Sequence, residues 1–520
     1  MRTPSVRASL SSCGLALAVL LSAEVAAAGE DRKPGIPSKP NILLIVADDL
    51  GWADVGYHGS RIRTPVIDRL AREGVELDQH YVQPLCTPTR TALMTGRYPS
   101  RFGPHVLSPS NLRALPPGTV TLASALKTLG YSTFLSGKWH LGSRLEWGPN
   151  SYCFDRSYGS LAGAVDPWTH KYRPGIYAAT WQRDGRFVEE EGNATELVAR
   201  QAVEWVRQKR EPWLIYVPFQ AVHIPVDAPQ EYKQLYAGEK FFDDPAKDDS
   251  CRRFAAFVTQ LDTKIGQLIQ ALDETGQRAT TLVVFFSDNG GLQGGNNPYI
   301  SKVPDSPVLS SNLPLRGQKG QLYEGGIRVV ALASWPGRLA PRKVTAPMHA
   351  VDWMPTLAGL AGYAPPADLK WDGRDMWPVI SGAVEGVEPR TIYIPFTSGK
   401  AIRQGDWKLI AGKPTKKDKT GKRELFHLGR DPYEKENLAS SEPERVKEFE
   451  KLLEEMGKGD AAAMPEDLEG FPEDPALGGA PKAEKPAAQT PKPETPRAET
   501  SRPETPRADG RGIETPGGKR

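Results

Sequence analysis

The residues of this chain with chemical potential fall in short clusters. The densest runs Cys86-Thr87-Pro88-Thr89-Arg90-Thr91-Ala92-Leu93-Met94-Thr95-Gly96-Arg97. Pro88 suits the first turn of a helix, where its missing N–H costs nothing, and Gly96 suits a stop. Cys86 is therefore expected just before a helix N-terminus. Unpaired N–H groups and the positive end of the dipole favour an anion there and lower a thiol's pKa. Arg90, one turn in, offers a fork of donors to a tetrahedral oxyanion. Asp48 and Asp49 are adjacent acids without neighbouring bases, a pattern that suits a hard cation. Lys138 with His140, His223, Asp288 with Asn289, and Lys319 in a glycine-flanked loop complete the set. Taken singly, each has a bland explanation: a turn, a buried thiol, a structural histidine or a solvated lysine.

The elements between these clusters argue against the bland explanations. Asn41–Val46 is an unbroken apolar run, expected as a strand covered on both faces, and it exits into Asp48 and Asp49. Tyr131 to Leu135 exits into the Lys138 and His140 segment, Trp213 to Phe219 into His223, and Thr281 to Phe286 into Asp288 and Asn289. Helices are expected between them: about Thr121 to Thr128, about Thr195 to Gln208, and one carrying Phe254, Phe257, Leu261, Ile265, Leu268 and Leu272. Strand–helix alternation predicts a large α/β domain with a doubly wound, mostly parallel sheet and helices on both faces. Parallel strands put all these exits on one sheet edge, where ligands bind, and Cys86 and Arg90 would join them. Val329 to Ser334 reads as another strand, with a helix opening near His349. Short strand candidates at Thr391–Ile394, Ala401–Arg403, Trp407–Ile410 and Glu424–Leu428, then an amphipathic stretch Glu442–Met456, predict a small antiparallel sheet with one helix.

The chain has 520 residues, 39% hydrophobic and 25% charged, enough for one large domain and a smaller one. A net charge of +3 gives no case for nucleic acid or an anionic membrane. Arg2 and Arg7, the apolar Leu15–Leu21 run and Ala26-Ala27-Ala28 read as a cleavable signal peptide, too short for a membrane span, so the protein is expected to be secreted or periplasmic. That would leave Cys86, Cys153 and Cys251, with pairing of the last two left open. Asn193-Ala194-Thr195 fits a glycosylation acceptor, but helix capping is the favoured reading. Glu-Thr-Pro recurs at Glu494, Glu504 and Glu514 in a stretch with almost no apolar residues, expected to be disordered. The expected divisions are a signal peptide over 1–28, a catalytic domain over 29–388, a small α+β unit over 389–458 and a tail over 459–520.

The Cys-x-Pro-x-Arg and Leu-x-Thr-Gly-Arg strings around Cys86 resemble the signature of type I sulfatases, in the alkaline-phosphatase-like superfamily. Ala47-Asp48-Asp49-Leu50-Gly51-Trp52, Gly137-Lys138-Trp139-His140-Leu141-Gly142, Ser287-Asp288-Asn289-Gly290-Gly291 and Leu315 to Gly326 extend the resemblance over roughly Pro40 to Leu438. Val222-His223-Ile224-Pro225 makes it most similar to the arylsulfatase B branch. The resemblance implies a sulfuric ester hydrolase in which Cys86 is oxidised to Cα-formylglycine by a formylglycine-generating enzyme, and its hydrate is the nucleophile. It implies that Asp48, Asp49, Asp288 and Asn289 hold one divalent cation beside residue 86, Ca²⁺ rather than Mg²⁺; an all-oxygen set agrees. It assigns stabilisation of the hydrate to Arg90, neutralisation of sulfate and leaving-group charge to Lys138 and Lys319, proton donation to His223, and assistance in product release to His140. The expected substrate is a sulfated small molecule or glycan. Trp168, His170, Tyr172 and the loop 293–312 are placed near it by position. Two alternatives stay open: a phosphonate or phosphate ester hydrolase of the same superfamily, and a non-catalytic carbohydrate-binding protein.

Overall fold

A computed structural model describes residues 39–208, 212–293, 310–386, 388–416 and 418–471. The large sheet has ten strands. In chain order they are β1 (Asn41–Ala47), β2 (Val75–Leu77), β3 (Ser132–Ser136), β4 (Arg156–Ser160), β5 (Trp181–Arg183), β6 (Arg186–Phe187), β7 (Trp213–Pro218), β8 (Thr281–Ser287), β9 (Ala331–Ser334) and β10 (Arg342–Val344). Across the sheet the order is β10-β2-β9-β8-β1-β7-β3-β4-β5-β6. The centre, β8-β1-β7-β3-β4, is parallel throughout. The flanks turn antiparallel at β9 and at β5, so the sheet is mixed at its edges as well as mostly parallel.

The lack of alternation in β1 has the expected cause, because both faces are covered. Ile42, Leu44 and Val46 enter one core, with Leu93 of the Cys86–Thr95 helix, Leu126 and Leu357. Leu43, Ile45 and Ala47 enter the other, with Ile67, Val198 and Leu261 from the helices Pro65–Glu73, Ala194–Gln208 and Pro245–Glu274. The last of these starts well ahead of its apolar stripe, at Pro245, where Asp244 caps it by accepting from the N–H groups of Ala246 and Lys247. Asn193 caps its helix in the favoured way: Oδ1 accepts from Thr195 N at 3.1 Å and from Gln260 Nε2 at 2.8 Å, and the side chain is buried. Cys153 and Cys251 are both free thiols and do not pair. Among the described residues no helix is long and apolar enough to cross a membrane. The signal-peptide segment lies outside the described residues.

The small antiparallel sheet forms as expected from β11 (Thr391–Phe396), β12 (Gly399–Gln404), β13 (Trp407–Gly412) and β14 (Arg423–His427), with the helix Pro443–Gly457 packing Phe449 and Leu453 into the first core. Both sheets belong to one compact unit. Their junction contains a buried ion network. Lys408 of β13 bridges Glu324, at 2.9 Å, and Glu434, at 2.7 Å, with all three side chains at most 1% exposed. Tyr81 OH also donates to Glu324, at 2.7 Å. Burial, with Glu324 nearby, pushes the Glu434 carboxyl up to about 7 against the pull of Lys408. The folded chain also runs past Lys458, the expected start of the tail. Asp460 accepts from Arg101 at 2.8 Å, and Leu468 packs with Leu112 and Trp147. Isolated Leu and Met in a polar stretch gave no periodic signal for this. The Glu-Thr-Pro repeats lie outside the described residues.

Two predictions follow from these buried charges. Lys408→Met removes the cation that two buried carboxylates share and should lower unfolding stability by roughly 3–5 kcal/mol in chemical denaturation; a loss below about 1 kcal/mol would show the network to be incidental. Asp262 caps the Pro65–Glu73 helix from a neighbouring helix, accepting from Ile67 N at 2.8 Å, and burial pushes its carboxyl up to about 7. Between the ordinary value of about 4 and that value the folded state keeps a proton that the unfolded state releases, so this group's contribution falls as pH rises through the window. Asp262→Asn keeps an acceptor and removes the titration. Urea midpoints from about pH 4 to about pH 8 should therefore fall more steeply for the parent than for the variant. Parallel profiles would contradict this.

Candidate active site

The chemistry-bearing residues leave the carboxyl ends of the parallel strands and are stitched together by their backbones. Beyond β1, Asp48 N donates to Ala221 O at 3.0 Å, and Val222 N donates back to Asp48 O at 2.7 Å. Asp288 N, beyond β8, donates to Ala47 O at 3.0 Å, and Lys138 N, beyond β3, to Pro218 O at 2.7 Å. Cys86 is the first residue of its helix, with Leu85 at the cap position, and Gly96 ends that helix in the left-handed conformation. Lys319 comes from the loop before Glu324, whose closing turn lies against the Asn289 turn. Gly290 N donates to Gly326 O at 3.0 Å, and a Cβ on Gly290 would lie 1.8 Å from Gly325 O, so only glycine fits.

Three acids and three bases meet in this space. Lys138 Nζ contacts Asp48 Oδ2, Lys319 Nζ lies 2.6 Å from Asp49 Oδ1, and Arg90 Nη2 lies 2.7 Å from Asp288 Oδ2. None of the six is more than 3% exposed. Burial raises the Asp48 carboxyl, but Lys138 foremost, with His223 and Arg90, holds it below the usual carboxylate range. Against the same burial penalty, Lys319 and His223 hold Asp49 below it. Burial works against the Lys319 ammonium, yet Asp49 first and the neighbouring acids keep it charged, well above its ordinary value. Arg90 also donates to Lys138 O at 2.9 Å, so its fork orients Asp288 and Lys138 instead of standing free for an anion.

Cys86 Sγ sits within this ring of charges, 3.2 Å from Asp48 Oδ1 and 3.6 Å from Lys319 Nζ. The expected lowering of its pKa is not found. Burial, then Asp288 and Asp48, push the thiol well above its ordinary value, outweighing Lys138 and Lys319. Burial first, then two carboxylates, outweigh what the helix start would do. His223 Nε2 lies 3.7 Å from Asp49 Oδ2, and its Nδ1–H donates to Ile224 O at 2.6 Å. Burial, then Lys319, lower its pKa, while Asp49 and Asp48 pull the other way. His140 is buried with positive φ (+56°), and burial, then Lys138, push its pKa well below the ordinary value. Its Nδ1 has no hydrogen-bond partner among the described residues.

Four of these side chains are grouped closely enough to hold a metal ion. One ligand atom each from Asp48, Asp49, Cys86 and His223 lies within 4.8 Å of the others. Asn289 gives Nδ2 to Asp49 Oδ1 at 2.8 Å, which leaves Oδ1 buried with no hydrogen-bond partner, a carbonyl oxygen suited to Ca²⁺ or Mg²⁺. Asp288 stands outside the tight group. Arg90 engages its Oδ2, and Asp49 N reaches its Oδ1 at 3.3 Å. Supporting residues not read from the sequence include Ser287, whose hydroxyl accepts from Leu50 N at 3.0 Å and donates to Asn289 O at 2.8 Å. A second is Gly163, where a Cβ would lie 2.3 Å from His140 Nε2. A serine ending an apolar strand and a single loop glycine carry no pattern to detect. Trp168 and His170 line one cavity, which does not include Tyr172; residues 294–309 of the expected lining loop lie outside the described residues.

A sequence model described as sulfatase matches residues 40–363. The chain belongs to the sulfatase family. Mouse arylsulfatase J is 33% identical, covering 82% of this chain and 77% of that protein. Human N-acetylgalactosamine-6-sulfatase is 29% identical over 83% of this chain and 87% of its own length. The crystal structure of Ps i-CgsB in complex with k-i-k-neocarrahexaose matches with a TM-score of 0.70 and 31% identity, covering 83% of this chain and 96% of that one. The sulfatase reaction, hydrolysis of a sulfate ester, is thus the activity of this chain, and the site described above is its candidate seat.

Lys319→Ala tests that seat. The substitution removes a buried cation beside Asp49 and Cys86, and should lower kcat/KM for an aryl sulfate by roughly 10²–10³-fold. A change under about threefold would place the reaction elsewhere.

Proposed function

We propose that this sulfatase removes sulfate from carbohydrates outside the cytoplasm, with residue 86 as nucleophile. One observation carries the reading: Cys86 lies among three buried carboxylates and three buried cations, at the focus of the strand exits. An unmodified thiol is a poor nucleophile there, because its surroundings disfavour the thiolate. That supports oxidation of Cys86 to Cα-formylglycine by a maturation enzyme, the hydrated aldehyde then supplying the attacking oxygen.

Asp48, Asp49, Asp288 and Asn289 would hold a calcium ion, which supplies Lewis-acid stabilisation of oxyanion charge when bound. With three acids matched by three bases, a divalent ion leaves the site net positive, the sign an anionic ester needs. Lys138 and Lys319 bring two buried positive charges to the site, which would neutralise sulfate oxygens and charge on the leaving group. His223 has its proton on Nδ1, fixed by the Ile224 carbonyl. Giving a proton to the leaving oxygen from Nε2 requires the imidazolium. A bound sulfate adds negative charge beside the ring and favours that form. His140, buried and neutral, is available as a base through Nδ1 during product release.

The carbohydrate preference is supported by relatives: one is named for N-acetylgalactosamine-6-sulfate chemistry and one was crystallised with a neocarrahexaose. The N-terminal apolar segment supports export.

Peptide mass spectrometry of residue 86 after co-expression with a formylglycine-generating enzyme should show loss of the thiol sulfur, and Cys86→Ala should abolish turnover. A fully active enzyme with an intact thiol would refute the nucleophile assignment. Stripping with a calcium-selective chelator should remove activity, and Ca²⁺ should restore it. Turnover of a phosphonate monoester well above that of a sulfate monoester would move the protein to the phosphonate hydrolase reading.

A further inference from the structure

Beside the loop that carries His223 and Asp227 lies an open hollow of a different character from the charged cluster. Its volume is about 540 Å³, ample for a sugar ring, and Trp168, His170, Trp181 and Phe187 form much of its wall. Trp168 and Phe187 are 43% and 46% exposed, unusual for side chains this large. They are not loosely placed. The Trp168 indole donates to Asp227 Oδ2 at 2.7 Å, and Asp166 Oδ1 accepts from Trp168 N at 3.0 Å and Thr169 N at 2.8 Å. His170 stacks on Trp181 with ring centroids 4.6 Å apart and is anchored to Gly192 O at 2.8 Å. Pro167, the residue before Trp168, lines a small cleft together with His223 and Gln220. The aromatic wall therefore adjoins the catalytic histidine's loop, and Asp227 ties it to that loop.

The hollow is acidic, whereas the charges of the site balance. Glu189, Glu190 and Glu191 line it against a single cation, Lys171. Glu190 is neutralised by Arg183 at 3.0 Å, but Glu189 and Glu191 are exposed. A hollow that repels sulfate thus adjoins the loop that carries His223.

We propose that this hollow is a subsite for an unsulfated sugar ring adjoining the sulfated one. The inference rests on the carbohydrate reading above. The C–H face of a sugar packs on rigid aromatic surfaces, and its hydroxyls donate to carboxylates. A sulfate on the same ring would face two carboxylates at close range, which is costly. The enzyme therefore acts on sparsely sulfated chains, at units whose neighbour on this side is bare.

The test compares kcat/KM for 4-nitrophenyl sulfate, a sulfated monosaccharide, and that monosaccharide extended by one galactose, either bare or sulfated. The bare extension should raise kcat/KM, and Phe187→Ala should lower the ratio of extended to unextended by roughly tenfold. Glu189→Gln combined with Glu191→Gln should narrow the gap between bare and sulfated extensions by about tenfold. A purely structural role would lower all substrates together and leave both ratios alone. Unchanged ratios in an enzyme that still cleaves the monosaccharide overturn the subsite and leave the carbohydrate reading standing. An enzyme that cleaves 4-nitrophenyl sulfate but no sulfated sugar overturns both.

Discussion

The structure depends on burying three carboxylates and three cations together. Removing six charges from water is tolerable only because each finds a partner of opposite sign at hydrogen-bond range. The pairing explains why Asp48 and Asp49 stay ionised despite full burial. It also explains why the fold invests backbone hydrogen bonds in fixing strand exits: an aspartate that drifted would strand a lysine. The cluster is close to electroneutral by itself, so it can persist as a scaffold while a cation or substrate comes and goes.

The parallel core supplies the necessary geometry. β1 is central, and its neighbours β7 and β8 deliver His223 and Asp288 to either side of Asp48. β3 brings Lys138, and the Cys86–Thr95 helix, entirely buried, aims its first residue into the gap. Lys319 arrives by a different route. Its loop is held by the Glu324–Ile327 turn, which the small sheet grips through Lys408.

Much of this was legible in the chain itself. Uninterrupted apolar runs ending in acids marked the buried strands and their polar exits, because a strand covered on both faces has no alternation to obscure it. Pro88 and Gly96 bracketed the helix that carries Cys86. Electrostatics could not be read the same way. The helix start alone argued for a reactive thiol at Cys86, whereas the effect is reversed by burial and by the carboxylates of Asp48, 38 residues away, and Asp288, on another strand. Likewise Arg90 looked free to bind an anion, and its partner is 198 residues distant. The antiparallel turn at β9 and the packing of Leu468 were invisible for a related reason: both are decided by neighbours remote in sequence.

The bridge at Lys408 has a consequence for how the molecule is made. A ribosome delivers Glu324 long before Lys408 and Glu434 emerge. Until β13 docks, Glu324 has only the more distant Arg328 of its own segment as counter-charge, and its closest cation is missing. The turn beside Asn289 therefore acquires its final shape only late in synthesis, and chains truncated ahead of that strand carry every residue of the charged cluster without the clamp that holds the Lys319 loop.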